Sequence, residues 1–338
     1  MRVLLAKTCG LRGALAVTPA IRAIRERHPD ARVTVLASPA GLPMLDGCPG
    51  VESALPLPAS PGLALLLHLR RQGFDHALAL SATPAARRVV AFSGAARRRV
   101  LGSPGLLQPF LHAWGEPPGA DPHEASTNHG AVAAAMSLDP RPLPYWFATS
   151  RMQEHGLLLE PSRFAVLHPV SPDPARMLGI PFWAQLGRGL LGLPGIERVV
   201  VSCGAAPEER LYAEALCAEI GPAAASVGGR LRLPQLARLL ADARLCLGVD
   251  TPVLQLAAAA RCPVVGLYGP SDYARNRPWD ALSRNVRVDT APYLGETGPD
   301  WRARMSRAFG RLRPEQALQA AEELMRMSGD GFAGRDFR

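Results

Sequence analysis

Residues 246–271, CLGVDTPVLQLAAAARCPVVGLYGPS, constrain what this chain can fold into more than any other stretch. Leu245, Cys246 and Leu247 end a short apolar run of the kind that is buried on both faces of a parallel sheet. Gly248 to Pro252 then form a turn, and Pro252 sits where a helix takes its first residue and a missing N–H costs nothing. Val253, Leu254, Leu256 and Ala257 to Ala260 give that helix a small, apolar surface, and Pro263 to Tyr268 read as the next strand. A β-turn-α-β unit of this kind implies a parallel sheet with right-handed crossovers. It also places Asp250 and Thr251 at the carboxyl end of a strand, where open α/β sheets bind ligands. Free N–H groups and the helix dipole favour phosphate there. Two roles are open for the pair: capping the helix, or facing an anionic ligand.

The rest of the chain repeats the rhythm. Val3-Leu4-Leu5-Ala6 reads as a first buried strand, the turn Thr8 to Gly13 follows, and a helix containing Ile21 and Ile24 ends at His28-Pro29. Arg32 to Ala37 is the next strand, and a helix over Leu63 to Arg71 leads into the strand His76 to Leu80. Arg87, Arg88, Arg97, Arg98 and Arg99 are too many cations to bury without partners, so Val89-Val90 and Val100-Leu101 are assigned the inward positions between them. Residues 102–122 are rich in Pro and Gly and predict an irregular loop carrying His112 and Trp114. A helix over 123–136 follows, and then Asp139 to Pro144, stiffened by three prolines, reads as an interdomain linker. The second half starts with the strand Phe164 to Leu167 running into His168-Pro169-Val170-Ser171. Val199 to Ser202 is its next strand, and the helix after it opens on Glu208 and Glu209, acids favoured at a positive helix end. A final amphipathic helix covers 314–327. The fold class is therefore α/β, with two Rossmann-like domains at 1–149 and 150–328 facing across a cleft and a flexible tail at 329–338.

Composition narrows the function classes. The chain has 338 residues, 48% of them hydrophobic, so it can bury substantial cores. Its net charge of +9 comes almost wholly from arginine, with Lys7 the only lysine, and no basic motif with interleaved aromatics accompanies it. Nucleic acid is not an expected partner. Cys9, Cys48, Cys203, Cys217, Cys246 and Cys262 show no CxxC spacing and read as reduced core thiols of a cytoplasmic protein. The N-terminal apolar run is too short for a signal peptide, and no run approaches a membrane span, so membrane contact is expected to be peripheral, at the inner membrane. A monomer is expected. No G-x-G-x-x-G opens the first βα unit, which disfavours a dinucleotide-dependent oxidoreductase.

At this point the motifs resemble a known family. Gly248-Val249-Asp250-Thr251-Pro252-Val253-Leu254-Gln255-Leu256-Ala257-Ala258-Ala259 is similar to the D-[ST]-G-x-x-H-L-x-A-A donor signature of glycosyltransferase family 9, the bacterial heptosyltransferases with the GT-B fold. Gly269-Pro270-Ser271-Asp272 is similar to that family's G-P-[ST]-D, and Leu167-His168-Pro169-Val170-Ser171 resembles its L-H-P-G strand end. The resemblance implies a donor site made by Ser171, Arg176, Glu208, Asp250, Thr251, Pro252 and Gln255. Arg176 falls near the family's phosphate-contacting Lys, and Glu208 lines up with the acid that binds the donor ribose. Two departures stand out: Pro252 replaces Gly and removes one N–H donor, and Gln255 replaces His and cannot carry positive charge.

In the first half, Leu11 to Ile24 resembles the acceptor-side pattern L-G-D-V-x-x-x-x-P-x-[IL], with Thr18-Pro19 and Ala20-Ile21-Arg22 in place. The family's proposed base is the Asp of that pattern, and Gly13 stands in its position. A substitute base is sought at Asp46, His112 or His123, and Lys7, Arg12 and Arg22 are assigned to the acceptor side with Gly13. What the resemblance implies is an inverting transferase without metal or cofactor, moving a heptose or related sugar from an ADP-sugar to a hydroxyl of a glycolipid such as lipopolysaccharide core. The alternative raised by Gly13 is a nucleotide-sugar-binding paralogue without transferase activity.

Overall fold

The computed structural model describes residues 1–115, 120–288 and 298–328. The tail expected at 329–338 lies outside the described residues, as do positions 116–119 of the expected loop. The chain divides into two compact units, Met1–Arg151 and Met152–Arg338.

In the first unit the elements run β1 (Arg2–Lys7), α1 (Leu11–Leu15), α2 (Thr18–Arg27), β2 (Arg32–Ala37), α3 (Leu42–Leu45) and β3 (Val51–Pro56). They continue with α4 (Leu63–Arg71), β4 (His76–Ala79), α5 (Pro84–Phe92), β5 (Arg97–Leu101), β6 (His112–Trp114) and α6 (Glu124–Met136). The strands form a six-stranded sheet in the order β3-β2-β1-β4-β5-β6, parallel throughout. β1 is central: Leu5 stands opposite Val35 on one side and Leu78 on the other, and Val3 to Ala6 are wholly buried, as a strand covered by helices on both faces requires.

Two stretches depart from the expectation. Residues 84–92, read as apolar pairs between arginines, form helix α5, because Ala85, Ala86, Val89 and Val90 fall on one helical face while the Thr83 hydroxyl caps its start. Within the stretch expected to be irregular, His112 to Trp114 pair with Arg99 to Leu101 as the edge strand β6. Its backbone ladder holds it; its exposed side chains carry no apolar signal.

The second unit runs β7 (Phe164–His168), α7 (Ile180–Leu191), β8 (Arg198–Val201), α8 (Pro207–Ile220), β9 (Ala224–Ser226), α9 (Leu233–Asp242) and β10 (Leu245–Val249). After these come α10 (Pro252–Ala259), β11 (Val264–Tyr268), α11 (Tyr273–Asn276), β12 (Ser283–Arg287), α12 (Pro299–Phe309) and α13 (Pro314–Ser328). Its sheet has the order β12-β11-β10-β7-β8-β9, again all parallel. Counted from its own first strand, this is the order of the first sheet, so both units are doubly wound. Each reverses direction beside its first strand, at β1/β4 and at β7/β10, and such reversals open a crevice at the carboxyl ends of the strands. One layer of core, from Trp183 and Leu216 through Leu247 to Phe309 and Leu324, joins the second sheet to α7, α8, α12 and α13. All six cysteines are unbonded. Among the described residues no helix is long and apolar enough to cross a membrane.

Candidate functional site

At the β7/β10 reversal the chain brings Asp250, Thr251 and Arg176 together. Asp250 follows β10 and is 2% exposed, so its carboxylate needs partners. Arg176, in the single turn Pro174–Arg176 after β7, places Nη1 3.3 Å from both the Oδ2 and the backbone oxygen of Asp250. Its Nε is 3.2 Å from Asp173 Oδ2, and Arg302 of α12 pairs with the same Asp173 carboxylate. Asn276 Nδ2 donates to Asp250 Oδ2 at 3.5 Å. Two guanidinium groups thus face two carboxylates.

Thr251 is the N-cap residue of α10, yet its hydroxyl accepts no helix N–H. The Oγ1 is buried and without a hydrogen-bond partner among the described residues, so Thr251 does not take the capping role left open by the sequence. Pro252 opens α10 with no N–H to offer. Gln255, one turn on and buried, donates from Nε2 to the backbone oxygens of Asn276 at 2.5 Å and Arg277 at 3.1 Å, tying α11 to α10. Ser171 is buried and accepts from the Asp173 N–H at 3.1 Å, shaping the turn that carries Arg176. His168, at the end of β7, is buried against Ser202 Oγ at 2.9 Å, and burial pushes its pKa down to about 4, so the ring is neutral near pH 7.

The two acids opening α8 divide their work. Glu209 accepts the Gly204 N–H at 2.6 Å and closes the strand-to-helix turn, whereas Glu208 is exposed and forms no hydrogen bond or ion pair among the described residues. Beyond β11, the Tyr268 and Tyr273 rings meet edge-on at 5.1 Å, and the Arg287 guanidinium lies 4.3 Å over Tyr273. Asp173, Asn276 and Arg302 were not read from the sequence; only Asp173, three residues before Arg176, carried a local signal.

At the β1/β4 reversal Lys7 is buried, with Nζ 2.9 Å from Leu80 O, 3.0 Å from Asn128 Oδ1 and 3.0 Å from Glu124 Oε1. Asn128 in turn donates to Ala16 O at 3.1 Å. The strand-end loops add Thr8, whose N–H donates to Ser81 Oγ at 3.0 Å, and Cys9, whose N–H donates to Ser38 Oγ at 3.0 Å. Burial, with Glu124 adding to it and Lys7 opposing, holds Cys9 up at about 12, a thiol at neutral pH. Gly13 lies in α1; a Cβ there would stand 2.4 Å from Cys9 Cβ and 3.1 Å from Glu124 Oε1.

The other assigned residues are spread over this unit. Arg22 pairs with Glu26 at 2.8 Å on the surface of α2, and Arg12 is half-buried on α1. Asp46 is exposed at the end of α3, and His112 is exposed on β6. His123 is 1% exposed and uses Nδ1 to accept the Ala125 N–H at 3.0 Å, capping α6.

Against known proteins, a family model described as glycosyltransferase family 9 (heptosyltransferase) matches residues 183–297. Lipopolysaccharide heptosyltransferase 3 of Escherichia coli K12 is 32% identical over 84 residues, covering 24% of this chain and 24% of that protein, so the match spans about a quarter of the relative's length. Among solved structures, E. coli ADP-heptose LPS heptosyltransferase II superposes with a TM-score of 0.77 at 19% identity, over 97% of this chain and 99% of that one. E. coli heptosyltransferase WaaC with ADP gives 0.75 at 18% identity, over 96% of this chain and 100% of that one. Residues 183–297 thus match the glycosyltransferase family 9 model, and the chain shares its fold with solved heptosyltransferases over nearly its whole length.

Proposed function

We propose that the chain is a glycosyltransferase that moves a heptose or related sugar from an ADP-linked donor to a hydroxyl of a glycolipid acceptor such as lipopolysaccharide core, with inversion at the sugar carbon. The observation that carries this reading is the end of β10: a buried Thr251 hydroxyl without a partner, at the start of α10 and beside Arg176, inside the segment matched by the family model. A diphosphate leaving group gains negative charge as its bond to the sugar breaks. Preorganised donors where that charge develops are the main means by which such a step is accelerated. Thr251 Oγ1 and Arg176 are the donors available, the Leu254 N–H of the first turn of α10 being taken by Thr251 O at 3.2 Å. Arg176 already faces Asp250 and Asp173, so diphosphate would share its guanidinium with those carboxylates, and its five N–H groups allow that. Glu208, exposed at the start of α8, is assigned to accept the ribose hydroxyls. The protein is taken to work as a cytoplasmic monomer touching the inner membrane only peripherally, and to need no cofactor.

The donor assignment is tested by isothermal titration with ADP, UDP and NAD. The expected order puts ADP tightest; equal or tighter binding of UDP or NAD sinks the assignment.

A further inference from the structure

We infer that Glu124 is the base that takes the acceptor proton. This rests on the proposed transferase activity and supplies a group that reading otherwise lacks. Transfer forms a bond from the acceptor oxygen to the sugar carbon and breaks the bond from that carbon to the diphosphate oxygen. The leaving nucleotide keeps the bonding electron pair, and the acceptor O–H proton must go to a base within hydrogen-bond reach.

Position 13 has no side chain, and the structure explains why. The space a Cβ would enter is filled by Cys9 Cβ at 2.4 Å and by Glu124 Oε1 at 3.1 Å, so among the described acids and imidazoles Glu124 comes nearest to that point. It reaches there from another element, the first residue of α6. Both sites lie at the carboxyl end of β1, beside the strand-order reversal where a doubly wound sheet presents its ligands. Seen from position 13, Gly13 and Glu124 have exchanged roles: the glycine leaves the room that the glutamate fills.

The carboxylate is also held as a working group must be. Lys7 fixes Oε1 at 3.0 Å, and Lys7 is itself locked by Leu80 O and Asn128 Oδ1 in a buried network. Oε2 forms no hydrogen bond or ion pair among the described residues, and the side chain keeps 24% of its surface exposed, enough for a hydroxyl to approach. The competing groups are less suited. His123 has its Nδ1 committed to capping α6 at 1% exposure, and the Cys9 thiol is held protonated by burial. Lys7 is therefore a positioning residue, and the loss of a carboxylate at position 13 gives no ground for reading the chain as a binder without activity.

The test is Glu124→Gln, isosteric and still able to accept from Lys7, assayed by ADP release from ADP-heptose with lipopolysaccharide core acceptor. The expected result is a fall in kcat of roughly 100-fold or more with the ADP Kd and the donor KM unchanged. Glu124→Asp, which draws the carboxylate back by one methylene, is expected to lose at least about tenfold in kcat and to turn over faster than Glu124→Gln. Parent-like turnover in either variant overturns the inference. Failure of the transferase reading is a separate outcome, since it shows as no ADP release by the parent protein.

Discussion

Removing the charge of Arg176 separates its ion pairing with Asp250 from the diphosphate contact proposed for it. Arg176→Met keeps most of the aliphatic stem but takes the guanidinium away from the Asp250 carboxylate, which is 2% exposed. Breaking a fully dry pair from one side costs about 3–5 kcal/mol. Here the Arg176 side chain is 25% exposed, so the pair is partly screened and about 2 kcal/mol is the expected loss. For a unit of this size that lowers Tm by roughly 4–8 °C. In the proposed donor site the same change removes a charge-assisted donor, and ADP binding should weaken about tenfold or more. Adding Asp250→Asn removes the buried charge that faced Arg176, because losing both members of a buried pair is far cheaper than losing one. The double variant should therefore recover most of the Tm and none of the ADP affinity. Thermal unfolding and ADP titration on the parent, both single variants and the double close the cycle. An Arg176→Met protein that melts with the parent, or a double variant that binds ADP as the parent does, refutes the reasoning.

Three further outcomes follow from the same geometry. Thr251→Val removes a hydroxyl that has no partner among the described residues, so urea unfolding should be unchanged while ADP affinity falls by about fivefold, the equivalent of one neutral hydrogen bond. Gly13→Ala forces a Cβ against Cys9 Cβ and should destabilise the first unit by about 1–3 kcal/mol in urea unfolding, with Cys9→Gly in the same chain relieving it. His168 has its pKa lowered from 6.5 to about 4 by burial, so the unfolded chain takes up its proton first as the pH falls. Stability should therefore be full above about pH 6.5 and decline towards pH 4 by up to about 3 kcal/mol, and His168→Gln should lose that part of the pH dependence.

How far the sequence revealed this molecule depended on where each element lies in its sheet. Central strands such as β1, β7 and β10 are buried on both faces, and their unbroken apolar runs announce them. The edge strands β3, β6 and β12 carry sequences such as VESALP, HAW and SRNVR, in which backbone pairing rather than burial fixes the strand, so no pattern pointed to them. Asp250 and Thr251 were legible because a strand, a turn and a helix-starting proline adjoin in six residues. The clustering of Asp173, Asn276 and Arg302 around them was not, since α11 and α12 return from later in the chain. In the first unit the sequence assigned Lys7 to the acceptor side but gave no sign of the buried network that holds it against Glu124 and Asn128. The pairing of Glu124 with Gly13 spans two distant elements and leaves no mark at either position; only the three-dimensional approach of α6 to α1 shows it.

The central claim is sugar transfer from a nucleotide donor. It is tested most directly by incubating the protein with ADP-heptose and lipopolysaccharide core oligosaccharides and following both ADP release and acceptor mass. The expected result is ADP release matched by the gain of one heptose residue on the acceptor. Tight ADP binding with no release across the acceptors, or release without any gain on the acceptor, would contradict it.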